Sequence, residues 1–158
     1  MNLKESFEMK KIIIAAAILL FPVIISSQPI TNRQSLITIK DAWIRPSVKD
    51  ANSALFFEVT NNAAAADTLL SAKSELAEMV EVHETYKKEN DMMGMREVEK
   101  VPVPAKSSVM FKPRGLHIML IGLLKDLRVG SEGEAVLIFK NAGPVKVKAV
   151  VRDMPKMK

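Results

Sequence analysis

Apolar and polar residues alternate along most of the chain beyond residue 35. Residues Val145–Arg152 read Val-Lys-Val-Lys-Ala-Val-Val-Arg, and this period of two is typical of a strand with one buried face. Only Ala63–Ala66 and Ser74–Glu78 have helical character, enough for no more than a single turn of helix. Segments bounded by turn residues predict nine short strands: Leu36–Ile44, Ala54–Thr60, Thr68–Ala72, Met79–Tyr86, Met95–Val98, Ser108–Lys112, His117–Gly122, Ala135–Lys140 and Val145–Arg152.

Residues that favour turns separate the predicted strands. Eight or nine short strands spaced in this way predict an all-β protein, built as an antiparallel sandwich or barrel. The separating residues are Asn61-Asn62, Asn90-Asp91, Pro102 and Pro104, Pro113-Arg114-Gly115, the segment from Gly130 to Gly133, and Asn141-Ala142-Gly143-Pro144.

Residues 1–27 differ from the rest because a basic start precedes a nearly continuous apolar stretch. Lys10 and Lys11 come directly before Ile12–Ile25. This pattern predicts a secretory signal peptide, since the stretch is short for a membrane span. No clean Ala-x-Ala cleavage box follows it, so an uncleaved N-terminal anchor is the alternative. If translation starts at Met9 and not at Met1, the signal peptide begins directly with Met-Lys-Lys.

The rest of the chain is predicted to form one domain with short extensions. We assign residues 28–35 to a polar linker, residues 36–153 to the β-sandwich and residues 154–158 to a short tail. A domain of this size can bury a core without disulfides or a structural metal. The leader predicts export, with the bacterial periplasm as the simplest destination. Contact with the membrane is expected only through the leader, if it is not cleaved.

The composition narrows the chemistry that these residues can support. The absence of cysteine excludes thiol redox catalysis, zinc–thiolate and iron–sulfur sites, blue-copper centres and a lipid-bearing cysteine. The formal net charge of +5 is spread along the chain without a basic run, so nucleic-acid binding is not expected. The chain has ten Met but only one Trp and one Tyr, and most of these Met residues are expected to fill the core.

Both histidines of the chain lie near methionine in the sequence. His117 and Met119 are two positions apart in an apolar run, so a strand would place them on one face with Cα atoms roughly 6–7 Å apart. His83 follows Met79-Val-Glu-Val, and Met95 follows Met92-Met93-Gly94. Imidazoles combined with thioethers form a soft donor set that favours Cu(I) over Mg²⁺ or Ca²⁺.

Each of these residues also has a simpler explanation when it is taken alone. A single histidine in an apolar strand is more often a hydrogen-bonded core residue than a ligand, and a single methionine is more often a packing residue. The combination favours copper because it uses both histidines of the chain together with methionines near each of them.

The spacing of His83, Met95, His117 and Met119 resembles the His-x11-Met-x21-His-x-Met ligand motif of the periplasmic copper chaperones of the PCu(A)C family. The resemblance extends over almost the whole exported part, through Asp41-Ala-Trp-Ile-Arg-Pro46, Val80-Glu-Val-His-Glu84, Met95-Arg-Glu-Val98, Val101-Pro-Val-Pro-Ala105 and Phe111-Lys-Pro-Arg-Gly-Leu-His-Ile-Met-Leu120.

The chain departs from the family pattern at three places. Glu84 stands where many relatives have a methionine after the first histidine, and it is not counted as a ligand. Arg114 stands in a Pro-Arg-Gly sequence where relatives commonly have Pro-Gly-Gly. Met154 and Met157 lie in a tail that has no histidine, so a second copper site is not expected.

The resemblance implies a cupredoxin-like or immunoglobulin-like β-sandwich that binds Cu(I) near its surface through His83, Met95, His117 and Met119. It also implies delivery of copper towards the Cu(A) site of cytochrome c oxidase, with subunit II and a thioredoxin-like assembly protein as partners. An outer hydrogen-bond partner must fix the tautomer of each histidine. One sequence does not identify that partner.

Two alternatives to a chaperone remain at this point. A periplasmic copper buffer or resistance protein would use the same site for sequestration, and a structural β-sandwich module would hold no metal. An enzyme is not expected, because no nucleophile elbow, paired-carboxylate motif or phosphate loop is present. Copper binding would also occupy both histidines, which are the usual general bases.

Overall fold

Ten strands and one short 3₁₀ segment are found in residues 36–154, the part of the chain that the computed structural model describes. The 3₁₀ segment covers Glu89–Asp91, between the fourth and fifth strands. The strands are β1 Ile37–Ile44, β2 Ser53–Asn61, β3 Asp67–Lys73, β4 Ala77–Lys87, β5 Met93–Glu97, β6 Val101–Val103, β7 Ser107–Phe111, β8 Leu116–Leu123, β9 Glu132–Phe139 and β10 Gly143–Val151.

The strands form one sheet in the order β5-β4-β8-β2-β1-β10-β9-β3-β6, and β7 also pairs with β2. Neighbouring strands run antiparallel except β1 and β10, which are parallel at Trp43–Val150 and Ile44–Val151. The predicted all-β class is confirmed. The antiparallel arrangement holds for every pair but one, so the sheet is mixed.

All nine predicted strands are present, with ends that differ by a few residues. The strand β6 is absent from the prediction, because Pro102 is a turn-favouring residue. Pro102 lies opposite Thr68 in the last strand of the sheet order, where a residue without an N–H is tolerated. The two segments with helical character contain no helix, within the limit of a single turn set above: residues 63–65 form a bend, and Ser74–Glu78 contains a turn and the start of β4.

The core lies on one face of β2, β4 and β8. Val82 and Ile118 are directly paired, and both are buried in the main hydrophobic cluster. Phe57 stacks on Phe111 in the same cluster, with 4.4 Å between ring centroids. Because side chains alternate along a strand, Ala54 and Phe56 of β2 point to the opposite face, where they form a small second cluster with Trp43. The candidate site lies on this second face.

The predicted leader at residues 1–27, the linker at 28–35 and residues 155–158 of the predicted tail lie outside the described residues, so these boundaries stay predictions. Between residues 36 and 154, the structure contains no helix that is both long enough and apolar enough to span a bilayer.

Candidate metal centre

The pairing of β4 with β8 brings the two histidines of the chain together. His83 lies directly opposite His117 in the antiparallel register. Their ring centroids are 5.9 Å apart, and the ring planes meet at 63°. Directly opposed residues in a sheet share a face, so both imidazoles lie on the same side of these strands.

The two predicted methionine ligands lie on the same face as the histidines. Met119 is two residues after His117 and lies opposite Glu81, while Met95 of β5 lies opposite Thr85, two residues after His83. Side chains two positions apart share a face, so the four residues occupy one face of the neighbouring strands β5, β4 and β8. Met95 is the outermost of the four, on the edge strand, with 51% of its surface exposed.

The second hydrophobic cluster forms an apolar wall beside the histidines. The ring of Phe56 lies 6.1 Å from that of His117, and the ring of Trp43 lies 4.5 Å from that of Phe56, measured between centroids. His117 is therefore only 4% exposed, although it points away from the main core. This face is shielded from solvent next to His117 and exposed to solvent at Met95.

The orientation of His117 is set by the backbone of its own turn. Its Nδ1 lies 3.0 Å from the carbonyl oxygen of Gly115. A carbonyl can only accept, so Nδ1 carries the proton and Nε2 keeps its lone pair. The same carbonyl accepts the N–H of Thr85 at 3.1 Å, which ties this turn to β4.

Burial lowers the pKa of His117 below its usual value of 6.5, and the hydrogen bond to Gly115 partly opposes this effect. Electrostatic interactions with His83 and Arg45 lower the pKa of His117 further. The neutral imidazole is therefore favoured at neutral pH. A histidine must be neutral to ligate a metal ion.

His83 presents its other ring nitrogen. Its Nε2 lies 2.7 Å from Oε2 of Glu81, and an ionised carboxylate can only accept. Its Nδ1 is buried and has no hydrogen-bond partner among the described residues. A buried polar atom without a partner costs free energy, and such an atom in a native protein calls for an explanation. A soft metal ion bound at this nitrogen supplies one, so the residues present fit Cu(I).

The turn before β8 forms despite the departure at Arg114. The Gly115 N–H donates to the carbonyl of Lys112 at 3.0 Å, and Arg114 has a φ of 62°. This is the left-handed region, which glycine adopts at no steric cost and arginine rarely enters. The family's usual glycine at this place suits that geometry, and arginine adopts it here.

Three contributors to the site were not identified from the sequence as partners of the histidines: Glu81, the Gly115 carbonyl and Phe56. Glu81 had a recognisable signal, because it lies two residues before His83 on a predicted strand and therefore shares its face. The contribution of Gly115 depends on turn geometry and that of Phe56 on strand pairing. No local sequence pattern predicts these contacts with the histidines.

Comparisons with known proteins agree with the fold and with the family resemblance. A sequence model of the family described as "Putative lipoprotein LpqE-like" matches residues 37–151. A "putative lipoprotein" of Leifsonia xyli subsp. xyli is 29% identical over 118 residues, which are 74% of this chain and 70% of that protein.

Solved structures share the same architecture. The copper-bound PCuAC domain from PmoF2 matches with a TM-score of 0.63 at 27% identity, covering 75% of this chain and 94% of that domain. The Cu(I)-bound solution structure of DR1885 from Deinococcus radiodurans matches with a TM-score of 0.56 at 23% identity, covering 73% of this chain and 78% of that one. The resemblance to the PCu(A)C family and the cupredoxin-like β fold are confirmed.

Proposed function

This chain belongs to the LpqE-like family, and we propose that it is an exported Cu(I) metallochaperone that binds copper through His83, Met95, His117 and Met119. The observation that carries the proposal is the direct pairing of the two histidines on the sheet face that also bears both methionines, where the buried Nδ1 of His83 has no partner within residues 36–154. The copper-bound PCuAC domain with the same fold adds support.

The proposed donor set suits an ion that must be released again. Two neutral imidazoles and two thioethers add no negative charge, so they match a soft monovalent ion without holding it as tightly as thiolates would. Met95 is half exposed on an edge strand, where its flexible side chain is accessible to an incoming ligand. The role is transport of an ion and needs no catalytic residue. The proposed destination is the Cu(A) site of cytochrome c oxidase, reached in the periplasm.

The first test is an anaerobic Cu(I) titration of the purified domain, followed by X-ray absorption spectroscopy. We expect one Cu(I) per chain, with two nitrogen and two sulfur neighbours, because four donors share one face of the sheet. A protein that binds no Cu(I) would be a structural β-sandwich module. A copper shell without sulfur would refute the assignment of Met95 and Met119.

The second test concerns delivery. The Cu(I)-loaded protein is mixed with the soluble domain of oxidase subunit II, with and without a thioredoxin-like reductant for its cysteines, and the two proteins are then separated. We expect copper to move to reduced subunit II, because its thiolates bind Cu(I) more tightly than thioethers do. Copper that stays on the present protein would instead support the buffer or resistance role.

A further inference from the structure

A carboxylate lies inside the proposed copper face and contacts one of its ligands. Oε2 of Glu81 is 2.7 Å from Nε2 of His83, and the Glu81 side chain is 25% exposed. Glu81 also lies directly opposite Met119 in the β4–β8 register. It is therefore next to both an imidazole and a thioether of the proposed set, although it belongs to neither donor type.

An imidazole can bind a metal through either nitrogen, and its hydrogen bonds decide which one is free. With Nε2–H donated to the Glu81 carboxylate, the lone pair of His83 lies on Nδ1, the buried atom for which the described part of the chain offers no partner. His117 has the opposite arrangement, because its Nδ1–H is donated to the Gly115 carbonyl and its lone pair is on Nε2. The two opposed rings thus offer different nitrogens.

We propose that Glu81 is a positioning residue that commits His83 to bind Cu(I) through Nδ1, while His117 binds through Nε2. This inference rests on the proposed copper function and adds the outer partner that the sequence left unidentified. A hydrogen bond to an ionised acceptor is stronger than a neutral one, and it raises the basicity of the ligand nitrogen. Glu81 itself is not a ligand, because carboxylate oxygen is a poor donor for a soft monovalent ion.

The nearby carboxylates provide matched controls. Glu97 lies directly opposite His83 on the same face, yet neither ring nitrogen of His83 is hydrogen-bonded to it. Glu84 points to the other face and pairs with Arg96 at 2.8 Å. Removal of the charge at Glu97 tests whether the loss of any nearby negative charge weakens Cu(I) binding. Removal of the charge at Glu84 tests whether a disturbance of β4 weakens it.

The affinity test uses Glu81→Leu and Glu81→Gln, with Glu97→Gln and Glu84→Gln as controls, in anaerobic competition against a chromophoric Cu(I) chelator. Loss of an outer hydrogen-bond partner typically weakens metal binding about 10- to 100-fold, and we expect Glu81→Leu to fall in that range. Glu81→Gln keeps an amide oxygen that can accept Nε2–H, so its loss is expected to be smaller. Both controls are expected to bind like the wild type. A Glu81→Leu protein with wild-type affinity overturns the inference.

The structural test is ¹⁵N NMR of the histidine side chains, first without copper. We expect His83 to be protonated at Nε2 and His117 at Nδ1, and we expect Glu81→Leu to lose the preference at His83 alone. This measurement on the wild type stands even if a variant fails to fold. A wild-type His83 protonated at Nδ1 overturns the inference.

Copper loading separates this inference from the function on which it rests. Binding of Cu(I) is expected to change the ¹⁵N chemical shifts of Nδ1 of His83 and of Nε2 of His117. A wild type that binds Cu(I) through Nε2 of His83 overturns the positioning role and leaves the copper function intact. A wild type that binds no Cu(I) overturns both.

Discussion

Replacement of Met95 and Met119 together by leucine is expected to lower the Cu(I) affinity by more than about 100-fold. This loss is larger than that caused by removing a residue that only hydrogen-bonds to a metal ligand. Both sulfurs lie on the face that carries the histidine pair, and leucine offers no donor atom in their place. The fold should survive, because exchange of methionine for leucine conserves volume and costs less than about 1.5 kcal/mol at each site. Chelator competition measures the affinity, and urea unfolding measures the stability.

A matched control removes two thioethers elsewhere. Met110 on β7 and Met154 beyond β10 are 50% and 47% exposed, close to the 51% of Met95, whereas Met119 is half-buried. The double variant Met110→Leu with Met154→Leu is expected to keep the wild-type affinity. If the Met95 and Met119 double variant bound Cu(I) as tightly as the wild type, neither methionine would be a ligand.

Asp67→Ala is expected to lower the free energy of unfolding by about 3 kcal/mol, the second of the two largest effects. Asp67 is 5% exposed, and its carboxylate accepts the backbone N–H groups of Thr68 at 2.7 Å and of Asn141 and Ala142 at 2.9 Å each. Each buried donor left without a partner costs about 1–3 kcal/mol. Asp67 also lines a cleft, so water can replace part of the lost bonding.

Asp67→Asn provides the control for this second prediction. Its amide oxygen can keep two of the three bonds, so a smaller loss of stability is expected. The cleft is lined by residues outside β4, β5 and β8, so the folded Asp67→Ala protein should bind Cu(I) like the wild type. Urea unfolding with an unchanged m-value measures the difference. A loss below about 1 kcal/mol would mean that this carboxylate does not hold the β9–β10 turn to β3.

Most strands were predictable because their signal is local. Alternation in Val145–Arg152 reflects one buried and one exposed face, and the turn residues around it need no distant partner. The local pattern did not predict β6, because the effect of Pro102 depends on where its strand lies in the sheet. A proline is disfavoured where a strand is paired on both sides but is tolerated on the last strand of a sheet, and strand order is not a local property.

The candidate site shows the same division. His117 and Met119 share a face by spacing alone, which made them predictable as a pair. His83 could be assigned to a second strand and, through the family motif, to the same site. Its place directly opposite His117 follows from the β4–β8 register, and the position of Met95 opposite Thr85 follows from the β4–β5 register.

The order of amino acids alone therefore establishes which donors exist, that thiolates are not among them, and that they lie on short strands of an all-β domain. The fold decides which of these side chains face one another, that Glu81 contacts Nε2 of His83 while Gly115 contacts Nδ1 of His117, and that Phe56 shields His117. The reason is physical. Alternation acts between near neighbours in the chain, whereas register and burial arise when strands far apart in sequence pair and pack together.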